Sequence, residues 1–122
     1  MKHVLTIPQW LPTSDNKLIT AHWATANRLK KADASMIWLH MREERIPTAL
    51  KKRRVEVLIM CKPTGRMPDP TNYAKSLLDA LVKCRLIIDD SQRWCEYVTP
   101  KIERGTKAIW GTRITITDLD DA

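Results

Sequence analysis

Four aspartates, Asp69, Asp79, Asp89 and Asp90, fall within 22 residues of one another in a chain of 122 residues that is otherwise basic. With Lys75, Lys83 and Arg85 between them the segment nets −1, whereas the whole chain, with 21 Lys and Arg against 14 Asp and Glu, carries +7. Carboxylates repel phosphate, so an acidic spot on a basic surface makes chemical sense where a divalent cation sits among them. Hard oxygen donors select Mg²⁺, for which Mn²⁺ can substitute, and such ions keep water while leaning on one or two carboxylates and a substrate phosphate. The cation then activates a water and neutralises charge on the scissile phosphate. Each acid also has a plainer reading. Asp69 can be an N-cap, Asp79 can pair with Lys75 or Lys83 one turn away, and Asp89 and Asp90 can be turn residues. Lys75, taken alone, is more often a solvated helix residue than a catalytic one.

The elements that must position these residues follow from periodicity. Lys2 to Ile7 alternates apolar and polar and is closed by Pro8, which predicts an opening strand. Ala21 to about Glu44 predicts a helix ended by Pro47, with Trp23, Leu29, Met36, Ile37 and His40 near one side. Arg53 to Lys62, around VEVLIMC, is the strongest strand, and Pro63, Gly65, Pro68 and Pro70 mark a rigid loop after it. Asp69 followed by Pro70 predicts the capped start of a second helix. On it Tyr73, Leu77, Leu81 and Cys84 form a buried stripe, with Ala74 and Leu78 alongside, while Asn72, Lys75, Ser76, Asp79 and Lys83 share a polar one. Leu86 to Ile88 delivers Asp89 and Asp90 to a turn, and Trp94–Glu103 with Ala108–Thr117 predicts a hairpin turning at Gly105. The expectation is an α/β (α+β) fold, one small domain over 1–122 with a mixed sheet of about four to five strands and two main helices. An acidic, flexible tail is expected over 118–122.

Composition excludes other classes. The longest apolar run, Val57 to Cys61, is far short of the ~20 residues a membrane helix needs, so no membrane partner is expected. The N-terminal stretch lacks a secretory h-region, which makes the cytoplasm, of a bacterium or a phage-infected host cell, the expected address. Cys61, Cys84 and Cys95 lack metal-ligand or redox spacing and read as reduced core residues. Nothing calls for a nucleotide cofactor. Between Arg28 and Arg54 nine basic residues stand against three acidic ones, and without Asp118, Asp120 and Asp121 the body is near +10. A polyanion partner is expected.

The stretch RMPDPTNYAKSLLDALVKCRLIIDDSQ, Arg66 to Gln92, resembles the signature region of the RusA-type Holliday-junction resolvases, small dimeric endonucleases of phages and prophages. Their pattern, Asp-x-Asp-Asn-x-x-Lys-x-x-x-Asp followed by a paired Asp-Asp, is matched at Asp69, Asn72, Lys75, Asp79, Asp89 and Asp90. The resemblance implies that Asp69 and Asp90 bind the metal with Asp89 supporting, and that Lys75 is catalytic alongside them. Asn72 would position a ligand or a backbone group, and Asp79 would hold Lys75 or a metal-bound water. One departure stands out: Thr71 occupies the place of the family's second Asp, so the site exchanges a charge for a hydroxyl.

The expected function is therefore Mg²⁺-dependent resolution of four-way DNA junctions by paired phosphodiester hydrolysis in recombination and repair. A C2 homodimer supplies the matched cuts in opposed strands. Arg28, Lys30, Lys31, Lys51, Lys52, Arg53, Arg54 and Arg66 are expected to bind DNA. The alternative is a junction- or DNA-binding protein whose cleavage is weak or absent because of Thr71. A docking module for an acidic protein partner is a third class, marked by absence of DNA affinity.

Overall fold

The strand Arg53–Cys61 (β2) organises the molecule, because every second residue along it is buried and it pairs on both edges. The computed structural model describes residues 1–119. On one side of β2 runs β5 (Gly111–Asp118), antiparallel, and beyond it β1 (Lys2–Pro8), antiparallel again. On the other side two short strands, β3 (Cys95–Tyr97) and β4 (Lys101–Arg104), lie parallel to β2 in succession. Three helices complete the described chain: α1 (Asp15–Thr20), α2 (Trp23–Glu43) and α3 (Ala74–Lys83). This is the small mixed α+β domain that the periodicity predicts.

Register sets the core. Leu5, Ile114 and Val57 form one rung across β1, β5 and β2, and Ile7, Thr112 and Ile59 form another. Ile37 and Met41 of α2 and Leu77, Ala80 and Leu81 of α3 join this face in one buried cluster, where removal of apolar surface from water supplies most of the driving force. The alternate residues Val4, Thr6, Glu56 and Arg113 remain exposed on the other face.

Several expectations are corrected. Trp94–Glu103 and Ala108–Thr117 do not form a hairpin, since β4 and β5 flank opposite edges of β2. Gly105 serves the crossing between them: its N–H donates to the Cys61 carbonyl at 2.7 Å, and a Cβ there would lie 2.6 Å from the Ile109 carbonyl oxygen. Trp23 is 72 % exposed, and the buried residues of α2 are Ala26, Asp33, Ile37 and Met41. The helix ends before Pro47, with Arg45 in the left-handed region (φ 53°) and the Ile46 N–H donating to the Met41 carbonyl. Arg85 (φ 59°) and Leu86 close α3 in the same way. Both are Schellman endings with arginine where glycine is usual.

Asp118 belongs to β5 rather than to a flexible tail. Its Oδ1 accepts from Arg53 Nε at 2.7 Å, and the rest of the expected tail, Asp120 to Ala122, lies outside the described residues. The three cysteines are free and buried as expected, and burial pushes the Cys84 and Cys95 thiols to about 11. Among the described residues no helix is long and apolar enough to cross a membrane.

Candidate functional site

Two helix starts hold each other. The α3 N-terminus has no side-chain cap of its own; instead the Asp15 carboxylate of α1 accepts from the backbone N–H groups of Lys75 (3.3 Å) and Ser76 (2.8 Å). In return the Asn72 side-chain oxygen accepts from the Asn16 N–H at 3.1 Å. A carboxylate at a helix N-terminus satisfies orphan donors and complements the helix dipole. The Asn72 side chain thus holds a backbone N–H at the start of α1. Ser76, assigned from sequence to the polar stripe, is buried beneath this contact, its hydroxyl donating to the Tyr73 carbonyl at 3.1 Å.

The exchange of caps places α1 beside the polar face of α3 and opens two hollows there. One, of about 210 Å³, is lined by Asp15, Leu18, Ile19, Lys30, Lys75 and Asp79. The other, of about 370 Å³, is lined by Asn27, Lys30, Asp79, Val82, Lys83, Asp89 and Asp90. Lys30 of α2 and Asp79 of α3 border both. Lys75, Asp79, Asp89 and Asp90, singled out from spacing, are therefore gathered along one groove between α2 and α3. The Schellman ending at Arg85 reverses the chain after α3 and returns it through Leu86 and Ile87, which are buried, to the exposed pair Asp89 and Asp90.

Asp69 lies at the turn just before α3. It caps a single 3-10 turn, Pro70–Asn72, and not α3 itself. Its Oδ1 accepts from the Thr71 N–H at 2.9 Å and from the Thr71 hydroxyl at 2.8 Å, and these two bonds, backbone first, hold its pKa below the usual carboxylate value. Asp69 is not among the residues that line either hollow. The loop before it is fastened by Arg104, which donates to the carbonyls of Lys62, Pro63 and Gly65 at 3.1 to 3.4 Å.

The basic residues divide. Arg28, Lys31, Lys51 and Arg66 are exposed, and Lys30, Lys52 and Arg54 are half-buried. Arg54 pairs with Glu96 at 3.0 Å. Arg53 is not available to DNA: it is 2 % exposed and donates to Asp118 and to the carbonyls of Pro47 and Leu86. Charge count alone cannot separate it from its neighbours. The alternation of β2, which turns residue 53 inward, is the signal that could have.

Asp15 is the site residue that sequence reasoning misses. Ser14 beside it is a readable N-cap, accepting from the Lys17 N–H at 3.3 Å, but nothing local reveals that Asp15 reaches α3, 60 residues away. Among the described residues the buried Tyr97 hydroxyl has no hydrogen-bond partner; burial, then the nearby Asp15 charge, pushes its pKa to about 12, so it stays a neutral donor at physiological pH.

Among the described residues no three Asp, Glu, His or Cys side chains stand together closely enough to cage a metal ion. The donor set fits a different kind of site. Asp79, Asp89 and Asp90 offer hard oxygens along an open groove, which suits a cation that keeps its water and uses one or two carboxylates. No protein-family model matches the chain, and no curated protein matches it significantly.

Proposed function

We propose that this protein is a structure-selective DNA endonuclease acting on four-way junctions as a homodimer, with Mg²⁺ held by Asp89 and Asp90 and assisted by Asp79. The observation that carries the reading is the groove itself. Carboxylates at positions 79, 89 and 90 stand in it with Lys30, Lys75 and Lys83, on a chain whose charge is +7. That combination suits a cation and a phosphodiester together better than either alone. The resemblance of Arg66 to Gln92 to the RusA-type resolvases supports it, as does agreement on the α+β fold. The bound cation would supply charge neutralisation and an acidified water. The chain's own residues do the rest. Lys75, anchored by the cap that Asp15 makes on its N–H, presents an ammonium to a phosphate oxygen. Asp79, one turn further, is placed to orient it, and Lys30 and Lys83 hold the strand on either side.

A second reading, a junction-binding protein with weak or no cleavage, is favoured by one specific observation: Thr71 ties the Asp69 carboxylate into its own turn. One assay separates the two. A synthetic four-way junction and a linear duplex are incubated with the protein in Mg²⁺ or Mn²⁺ and the products resolved on a gel. Junction-selective cleavage, lowered by about 10²-fold or more in Lys75→Ala and in Asp90→Asn, is expected. Junction binding without cleavage, converted to cleavage by Thr71→Asp, selects the second reading. Neither binding nor cleavage overturns both and leaves the docking-module class.

A further inference from the structure

Two large apolar side chains near the groove are exposed. Ile19, at the end of α1, is 78 % exposed, and Trp23, at the start of α2, is 72 % exposed. Solvent-exposed tryptophan at a helix start contributes nothing to the core, and α2 buries Ala26, Asp33, Ile37 and Met41 without it. Its position is held: His22 caps α2, its Nδ1 accepting from the Ala24 N–H at 3.3 Å, and the His22 ring lies 5.6 Å from the Trp23 ring, tilted by 35°. Trp23, Asn27 and Lys30 recur at spacings of four and three, so they occupy one face of α2. Asn27 and Lys30 line the groove and Ile19 lines its other hollow. Trp23 therefore lies on the same face of α2 one turn before Asn27, about 10 Å along the helix from Lys30. Lys17, Arg28 and Lys31 are exposed on the same two helices.

We infer that Trp23 is a stacking platform for an unpaired nucleobase of a DNA strand whose phosphates run past Lys30 into the groove. An indole face takes any base, and flanking Lys and Arg supply the phosphate contacts. Ten ångströms spans roughly three stacked nucleotide steps, fewer once a base is splayed out. The inference rests on the nucleic-acid reading above and adds the substrate element it selects: single-stranded or locally unpaired DNA beside the cut.

The test is binding in EDTA, where cleavage plays no part. Fluorescence anisotropy is measured with a labelled 15-nucleotide oligo-dT and with a blunt duplex of the same length. Trp23→Ala is expected to weaken oligo-dT binding by about tenfold while leaving duplex affinity within about twofold, and Trp23→Phe to recover most of the loss. Because residue 23 is exposed, the variant keeps its fold, checked by circular dichroism. Failure of the wild type to bind oligo-dT, an equal loss on both ligands, or no loss at all overturns the inference. So does a shift in sedimentation on Trp23→Ala, which would assign the patch to a second copy of the chain. A protein that cleaves junctions yet shows no Trp23 effect refutes the platform and leaves the nuclease reading standing.

Discussion

At the scale of single residues, Arg53 shows how position outranks charge. Inside a run of four basic residues, Lys51 to Arg54, it alone turns under the sheet and meets Asp118 at 2.7 Å. Burial pushes the Asp118 carboxyl up, but the Arg53 hydrogen bond and charge, helped by the N-terminus and His3, outweigh it and leave the pKa lowered. A carboxylate with a lowered native pKa stabilises the fold fully above its unfolded value, and that contribution is lost as pH falls through the native value. Asp118→Asn should therefore cost about 3 kcal/mol at pH 7, since it leaves a buried guanidinium without its counter-charge. Urea titrations across pH should show the difference from wild type shrinking below the ordinary carboxylate value of 3.8. An equal difference at pH 3 and pH 7 would remove Asp118 ionisation as its source.

At the scale of elements, the cap that α1 lends to α3 is the joint on which the groove depends. Asp15→Ala should destabilise the protein by about 1–2 kcal/mol, read as a lowered midpoint in thermal or urea unfolding. It should also lower junction cleavage more than Asn16→Ala does, because the start of α3 carries Lys75. Periodicity made most of the elements legible: β1, α2, β2 and the buried stripe of α3 all stand within a few residues of where alternation or 3.6-fold recurrence puts them. What it could not reveal was tertiary. The Ala108–Thr117 strand reads the same whether its partner is β4 or β2, and Gly105 reads as a turn although it serves a close approach to the Cys61 carbonyl. Arg45 and Arg85 end their helices in a conformation that favours glycine; Pro47 still marks the first stop, whereas composition hides the second. In the site, Lys75, Asp79, Asp89 and Asp90 were legible because one helix and one return carry them. Asp15 was not, because its role exists only once α1 docks.

At the scale of the whole molecule, the charge of +7 is distributed unevenly: a basic body, with exposed or half-exposed lysines and arginines on α2 and in the connections, and a groove where carboxylates interrupt them. If six to eight phosphates are contacted, junction affinity should fall with a log–log salt slope of about −5 to −7. Lys31→Ala should reduce that slope by about one unit, measured by anisotropy titrations at several salt concentrations. A slope near zero would mean that the basic surface faces something other than DNA. On the proposed reading two matched incisions require two grooves, so sedimentation on a junction should find two chains per DNA.

The reciprocal caps between α1 and α3 have a kinetic consequence. The N–H groups of Asn16 and Ser76 each donate to the neighbouring helix's segment, so α1 lifting away releases both at once. Local opening governs hydrogen exchange. The two amides, 60 positions apart in the chain, should therefore share an opening in deuterium exchange, and Asp15→Ala should accelerate both together, whereas neighbours in the β2–β5 ladder keep their slower clocks.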